Sequence, residues 1–314
     1  MNTRRLGYFY IVLTAFIFST MEVALKAVTG VFQTLQITAL RFLLASFFLI
    51  PFALRALKKR GKSLTLRDLP YFLLNGLLCV VLGMVCYQLA ILYSPASVVA
   101  VLFSCNALFT TLFAALFLKE PLKWYHYAAL ALELLAVGFI INPFHTVLDA
   151  KGVTLALISA VLFSLYSVAG RKKSAEYGGI VISCGSLLCG ALLLIALILL
   201  GRLPALAAPL QKAGLGLFAG VPLFEGIPAS AWPALLYVGI GVSGCGYVCH
   251  MLAVEKTSAR EAALVYFLKP VLAPLIALIL LHEEIPANMW IGIVLFVAGS
   301  AVAILPGILP RKQP

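Results

Sequence analysis

Charge is scarce in this chain. Charged residues make up 11% of its 314 residues, and only 11 residues are Asp or Glu, whereas soluble proteins carry about 25% charged residues. So few charges cannot cover a water-facing surface, which excludes an ordinary soluble globular protein. The hydrophobic share of 63% instead favours a chain whose surface faces the hydrocarbon of a bilayer.

The signatures of several enzyme and metal-site classes are also missing. The sequence contains no Walker A motif, no HExxH element and no CxxC pair, and its seven cysteines lie within apolar runs. We therefore expect no cofactor, no metal and no required disulfide. The segment Gly239–Gly244, GIGVSG, fits GxGxxG but lies inside an apolar run. Close helix packing explains it better than dinucleotide binding.

Long apolar runs dominate what is present. A helix needs about 20 apolar residues to cross the hydrocarbon core. The sequence predicts ten spans, at about residues 6–28, 33–54, 69–92, 95–118, 123–142, 152–170, 179–200, 232–254, 260–281 and 286–306. The longest connection, 201–231, has room for a short surface helix. The predicted fold class is an all-α integral membrane protein with ten transmembrane helices.

Lysine and arginine residues sort to one side of these spans. With the N-terminus in the cytoplasm, the inner connections collect most of them, and the outer side receives only Lys151, Arg202 and Lys212. Because positive residues favour the cytoplasmic side, we predict that both termini are cytoplasmic in the cell inner membrane. The net charge of +12 then reflects membrane topology, and we expect no nucleic-acid partner. The apolar run continues through Val28, so we expect an uncleaved first span.

The chain repeats itself at two offsets. Gly76–Glu120 aligns without a gap with Gly239–Glu283, 163 residues later, and GYFYIVLTAFIFSTMEVALK aligns with GVTLALISAVLFSLYSVAGR, 145 residues later. Two five-span halves follow, 1–146 and 147–314. Because five is odd, the halves would insert with opposite topology. Such inverted repeats are common in secondary transporters, where a central site is exposed alternately to each side.

Three segments resemble the EamA family of the drug/metabolite transporter superfamily. They are ALRFLLASFFLIPF in the second span, FLKEPLKWYHYAALALELLAVGFII closing the first half, and TSAREAALVYFLKPVLAPLIALILLHEEI around the ninth span. Pro270 and Glu283 fit the family pattern of a proline followed by apolar residues and Leu-x-Glu, whereas Lys269 stands where the family often has glutamate or a neutral residue. The resemblance covers nearly the whole chain. It implies a cavity within spans one to four and six to nine, with spans five and ten peripheral.

Polar side chains inside spans are the candidates for a transport pathway, because an ionisable group at the centre of a span costs about 2.5–3.5 kcal/mol or more. Lys269 either faces a cavity, binding an anionic group or exchanging a proton, or forms a fixed ion pair, for example with Glu133. Tyr87 and Tyr166 also fit a cavity lining, although packing explains each better. The predicted pathway comprises Ser19, Glu22, Arg41, Asn106, Tyr247, Tyr266 and Lys269.

Two interpretations stay open for each of the other intramembrane charges. Glu22 carries a proton or contacts a cationic substrate, or it pairs locally with Lys26 four residues later. Arg41 neutralises Glu22, or it meets a carboxylate or phosphate on a substrate. Glu133 lies in a span that the resemblance implies to be peripheral, which favours helix pairing or subunit contact.

The repeat assigns partners to several of these residues. Lys269 aligns with Asn106, so both halves place a polar side chain at the same depth. Only the second half carries prolines there, which predicts that, of the two aligned spans, only the ninth is kinked. Glu120 and Glu283 also align, at opposite ends of the membrane, which indicates gating or capping. Glu261 is expected at a solvated mouth.

These features favour a secondary active transporter, predicted to be an exporter, of small polar or amphipathic metabolites such as amino acids. Alternating access would move this small-molecule substrate, with the proton as a candidate coupling ion and the oligomeric state left open. The alternatives are a non-transporting membrane sensor and an intramembrane lipid-processing enzyme that uses Glu22, Glu133 or His250 as a base.

Overall fold

The structure, a computed structural model, describes residues 3–119, 121–141, 148–212, 215–257, 262 and 264–308, without the side chains of 3, 4, 172, 254, 255, 266, 267 and 303–308. Helices make up the regular structure of these ranges, apart from one bridge between Thr29 and Phe32. The α-helices are α1 (Thr3–Ser19), α2 (Met21–Ala27), α3 (Thr34–Arg60), α4 (Leu69–Gly76), α5 (Val85–Tyr93), α6 (Ala96–Ser104), α7 (Asn106–Leu118), α8 (Trp124–Ile141), α9 (Ala150–Tyr177), α10 (Gly179–Gly201), α11 (Pro204–Lys212), α12 (Trp232–Leu236), α13 (Gly246–Lys256), α14 (Val265–Leu281) and α15 (Ala287–Ile308).

Membrane-spanning length follows directly from the apolar runs. Within the described ranges, eight segments are long and apolar enough to cross a membrane: Arg5–Ala27, Thr34–Arg60, Leu66–Tyr93, Ala96–Leu118, Trp124–Ile141, Ala150–Arg171, Gly179–Gly201 and Ala229–Ala253. The shorter apolar helices Leu268–Leu281 and Ala287–Val302 lie where the ninth and tenth spans are predicted. The prediction of a multi-pass helical membrane protein is confirmed, whereas the count of ten spans stays a prediction.

The helical spans are interrupted at places that the sequence pattern did not predict. The first span divides between α1 and α2 at Thr20, and the fourth divides between α6 and α7 at Cys105. By contrast, α14 continues through Pro270 and Pro274. The proline-free fourth span is therefore irregular as well, and the bend of the ninth span at its prolines stays a prediction. The fourth span breaks without proline, in a turn where the Cys105 N–H donates to the Leu102 carbonyl (3.1 Å).

The two segments aligned by the 163-residue repeat share unusual backbone geometry. Each contains a π-helical stretch, Leu77–Met84 in the first half and Tyr237–Cys245 in the second. Each also ends its last helix in the left-handed region, at Lys119 (φ 55°) and at His282 (φ 54°), and these two positions lie 163 residues apart. Left-handed backbone is uncommon for residues other than glycine, so the match supports the internal repeat.

Glycines bring helices of the core into close contact. A Cβ atom on Gly76 of α4 would meet the backbone nitrogen of Gly190 in α10 and would lie 2.7 Å from the Ser186 carbonyl oxygen. A Cβ on Gly244 would lie 2.8 Å from the Phe48 ring on α3. The GIGVSG segment therefore serves helix packing, as predicted. Small residues permit such backbone approach between apolar helices.

Helices α8 and α15 pack along each other through a second set of small residues. Added Cβ atoms on Gly292 and Gly299 of α15 would lie 2.9 Å from the Ala136 carbonyl and 3.1 Å from the Ala129 carbonyl of α8. Only 22% of the most apolar part of α8 is buried in the structure. The two helices thus pair with each other while α8 leaves most of its apolar surface exposed.

The long connection after α10 forms the expected short helix. None of the residues of α11 is buried. The Arg202 guanidinium, just before α11, donates to the carboxylate of Glu225, which lies beyond α11, and thereby lowers the pKa of Glu225 to about 2. This pair keeps its charges at neutral pH and ties the two ends of the connection together.

A pair of glycine substitutions tests the close crossing of α4 and α10. We expect Gly76→Ala to destabilise the protein by about 1–3 kcal/mol, because the added methyl group meets backbone atoms that cannot move aside. Gly138→Ala is the matched control, since the space around that helical glycine is open. The control gains up to about 1 kcal/mol from helix propensity. Thermal unfolding of both purified variants in detergent should show a lower Tm for Gly76→Ala and an equal or higher Tm for Gly138→Ala. A Tm for Gly76→Ala that is not lowered would contradict the crossing.

Candidate functional site

A buried ion pair joins the two halves of the chain. Lys269 Nζ on α14 lies 2.8 Å from Glu22 Oε1 on α2, and the side chains are 6% and 1% exposed. The Tyr87 hydroxyl on α5 donates to the same carboxylate oxygen at 2.5 Å. Glu22 therefore receives a charged and a neutral hydrogen bond at one oxygen. Such pairing is what allows charges to stay buried in an apolar interior.

Aromatic rings enclose the lysine of this pair. Lys269 Nζ lies 5.1 Å from the centre of the Phe103 ring, so the cation also contacts a π face. Phe103 packs edge-on against Tyr87 at 4.7 Å and tilts against Phe163 at 5.3 Å. Phe103 thus lies against the ammonium group, and Tyr87 of α5 and Phe163 of α9 support the Phe103 ring.

Arg41 adds a second cation to the same region. Its side chain on α3 is completely buried, and its three guanidinium nitrogens have no hydrogen-bond partner among the described residues. The guanidinium carbon lies 4.4 Å from the centre of the Phe42 ring, and Tyr87, Tyr247 and Glu22 are among its electrostatic neighbours. With all three groups ionised, Arg41, Lys269 and Glu22 together carry one net positive charge.

Two of the alternative pairings considered from the sequence are wrong. Glu22 does not pair with Lys26, because Lys26 Nζ reaches across to α5 and donates to the carbonyls of Ile91 (2.7 Å) and Ser94 (3.0 Å). Lys269 pairs with Glu22 rather than with Glu133. The turn at Thr20, which sets α2 apart from α1, was not visible in the apolar pattern.

A cavity lies beside the ion pair. It offers about 80 Å³ to the centres of water-sized molecules, enough for a few waters on the scale of 10–15 Å³ each. Asn106 and Lys269, which the repeat aligns, line the same cavity together with Tyr247 and His250. The whole lining comprises Phe18, Met21, Phe42, Met84, Phe103, Ser104, Asn106, Phe163, Val242, Ser243, Tyr247, His250 and Lys269.

The remaining predicted pathway residues differ in their relation to this cavity. Glu22 and Arg41 lie behind its wall, next to Lys269 and Phe42. The Ser19 hydroxyl donates to the Ala15 carbonyl of its own helix (2.6 Å), so it contributes to the local turn rather than to the lining. The side chain of Tyr266 lies outside the described part of the chain.

A second cavity adjoins the first on the side of the bundle that carries the basic loops. The two share Phe163, Tyr247 and His250, and the second extends to Arg171 and Ser174 at the end of α9. That end is the one predicted to face the cytoplasm. The site thus has cavity space between it and one end of the helices.

At the opposite end of the bundle, Glu283 links the end of α14 to the start of α6. Its carboxylate follows α14 and accepts hydrogen bonds from the backbone N–H groups of Ala96 (2.7 Å) and Ser97 (3.0 Å) and from the Ser97 hydroxyl (2.7 Å). An anion at a helix N-terminus is stabilised by these free N–H groups and by the helix dipole. The expected capping role of Glu283 is therefore confirmed. Its aligned partner Glu120, and Glu261, lie outside the described residues.

The sequence pattern gives little indication that two residues, Tyr87 and Phe103, belong to the site. The sequence favours packing for Tyr87, yet its hydroxyl donates to the Glu22 carboxylate. Phe103 carries no polar signal, and its contact with Lys269 depends on the approach of α6 to α14. The signal available for Tyr87 was that a phenol hydroxyl within an apolar span needs a partner.

A double-mutant cycle tests whether Glu22 and Lys269 depend on each other. We expect Lys269→Met alone to cost about 3–5 kcal/mol, because it leaves a carboxylate buried without its cation, and we expect added Glu22→Gln to recover part of this loss. Denaturant unfolding in detergent supplies the free energies. Arg202→Ala with Glu225→Ala is the matched exposed pair, with coupling of about 1 kcal/mol or less. Additive losses at Lys269 and Glu22 would contradict the pairing.

Comparison with known proteins provides independent information about the family of this chain. Residues 5–142 and 150–305 match the EamA-like transporter family. An "Uncharacterized transporter" of Clostridium kluyveri is 36% identical over 304 residues, covering 94% of this chain and 92% of that protein. A "Probable terminal-alkyne amino-acid exporter" of Streptantibioticus cattleyicolor is 25% identical over 237 residues, covering 74% and 72%.

A solved structure gives the same result for the fold. A crystal structure of another protein superimposes with a TM-score of 0.64 and 22% identity over 99% of each chain. Both relatives above are named as transporters or exporters, which sets the chain apart from enzymes. Together with the apolar spans and the polar interior, the match across both halves leads to one conclusion: the chain belongs to the EamA-like transporter family.

Proposed function

We propose that this protein is a secondary active exporter of small zwitterionic or anionic metabolites, such as amino acids or related compounds. The observation that carries the proposal is the buried Glu22–Lys269 pair at the wall of a cavity. A buried ion pair contributes little net stability in an apolar interior, because apolar residues of similar volume often stabilise the fold equally well. Stability alone therefore does not explain this pair. A separable pair, by contrast, offers both charges to a ligand.

The charges of the site favour a substrate with a carboxylate. Lys269 lines the cavity, and Arg41 contributes a further cation nearby, so an entering carboxylate would offset the net positive charge. A substrate ammonium group would replace Lys269 at Glu22, and the carboxylate would replace Glu22 at Lys269. An amino acid thus satisfies both groups when it separates the pair.

Protonation of Glu22 supplies a route to coupling. A proton on its carboxylate and a substrate ammonium group compete for the same oxygen atoms, so binding of one excludes the other. Exchange of a proton for substrate through such competition is the logic of antiport, and an inward proton gradient would then drive export. Asn106, Tyr247 and Tyr266 complete the proposed pathway.

Alternating access follows from the inverted repeat. We place both termini in the cytoplasm of a ten-span protein in the inner membrane, with halves 1–146 and 147–314 moving against each other. The cavity leads towards the basic end while Glu283 holds the opposite end shut, which corresponds to a state open to the cytoplasm. In the opposite state Glu120, the repeat partner of Glu283, would close the cytoplasmic end.

Counterflow of labelled amino acids in proteoliposomes tests the proposed function. We expect exchange by the wild-type protein, accelerated by a pH gradient. Lys269→Ala should lower exchange by about tenfold or more, because it removes a charge-assisted contact. Lys151→Ala, an exposed lysine at the start of α9, is the matched control and should exchange normally.

Three outcomes distinguish the alternatives. Normal exchange by folded Lys269→Ala would remove that residue from the pathway. Failure of the variant to fold would favour a fixed structural ion pair. The absence of flux and exchange across a broad panel of metabolites would count against transport itself.

Opening of the end held by Glu283 can be followed by hydrogen exchange. We expect Glu283→Gln to speed exchange of the Ala96 and Ser97 amides by about tenfold, because a neutral amide is a weaker acceptor at a helix N-terminus. Glu284→Gln, at the exposed neighbouring position, is the control and should leave these amides protected. Equal exchange in the two variants would show that Glu283 does not hold this end closed.

A further inference from the structure

A separate cavity lies on the other side of Asn106, among α7, α8 and α15. Its volume is about 270 Å³, compared with about 80 Å³ for the central cavity on the same measure. Its walls are mostly apolar, and Asn106 is the one lining residue that it shares with the central cavity. Glu133 and Ser300 lie on its lining, and His126 and Tyr127 lie on it near the start of α8.

Glu133 is an incompletely satisfied carboxylate on this lining. Its side chain is 3% exposed, and Oε1 accepts a single hydrogen bond of 3.3 Å from the Ser300 hydroxyl on α15. Oε2 is buried and has no hydrogen-bond partner among the described residues. The ion pairs found in the described part of the chain give it no cation. A buried carboxylate in this state requires a proton or a cationic ligand.

The position of the carboxylate within the cavity suggests the shape of that ligand. His126 begins the lining at the first turn of α8, and Glu133 follows seven residues later, about 10 Å along the helix. Leu130 and Leu112 line the space as well. A cation that reaches Glu133 therefore keeps apolar surface against the walls.

We propose that this cavity binds a protonated primary amine with a short alkyl chain, whose ammonium group contacts Glu133 and whose chain lies against the leucines. The site is distinct from the Glu22–Lys269 site and does not depend on the substrate assigned there. An ammonium group donates up to three hydrogen bonds, which match the free Glu133 oxygen and leave a donor for the Asn106 side of the cavity. An alcohol of equal length fills the same space without the charge.

Binding of octylammonium and of 1-octanol to the full-length protein in nanodiscs tests the proposal. We expect octylammonium to bind about tenfold more tightly than octanol by calorimetry, because only the amine forms a charge-assisted contact. Glu133→Gln should remove this preference. Glu176→Gln, an exposed carboxylate at the end of α9, is the matched control and should retain it. Equal binding of amine and alcohol to the wild-type protein would overturn the proposal.

A measurement on the unaltered protein decides the question even if Glu133→Gln does not fold. A hydrophobic carbodiimide modifies carboxyl groups in apolar surroundings, and mass spectrometry locates the adduct. We expect octylammonium, but not octanol, to protect Glu133 from modification. Equal protection by both compounds would show that the cavity recognises apolar chains without regard to charge. If the amine does not slow the modification of Glu133, only a proton neutralises this carboxylate. Either result contradicts the amine site.

Discussion

The contact between Glu22 and Lys269 constrains the rest of the interior. Either charge alone would be costly in an apolar interior, and α2, with α5 through Tyr87, approaches α14 closely enough for a 2.8 Å contact. That contact joins the first half of the chain to the second at one point. The aromatic side chains around Lys269 and the buried Arg41 are arranged about this contact.

The irregular helices are located near the polar interior. The breaks at Thr20 and Cys105 stand next to residues of the site, since Glu22 and Asn106 follow each break within two positions. Local departures from regular helix are tolerated in a membrane protein where neighbouring helices satisfy the freed groups. Near the break at Cys105, the Ser164 hydroxyl of α9 donates to the Asn106 carbonyl at 2.8 Å, and the Asn106 side-chain amide donates to the Phe103 carbonyl at 2.9 Å. The interruptions of the helices and the polar residues of the site thus occur at the same places in the chain.

Polar contacts join several helices at the Glu283 end of the bundle. Glu283 stabilises the start of α6, and Lys26 binds carbonyls at the end of α5 close by. These contacts are polar and lie at the end of the helices, where water can replace them. Under the proposed alternating access, such contacts would cost less to separate than packed apolar side chains, because the freed groups regain hydrogen bonds to water.

The sequence by itself determined that the chain is a helical membrane protein, because apolar runs of span length have no other stable solvent. It also located the charges that matter, since ionisable residues inside such runs are rare. Only the tertiary structure decided how those charges pair. Glu22 lies four residues from Lys26 and far along the chain from Lys269, yet it binds the distant residue, because a turn at Thr20 and the approach of α14 bring those two groups together. Partner choice over such separations depends on helix packing, which no local pattern of apolar residues encodes.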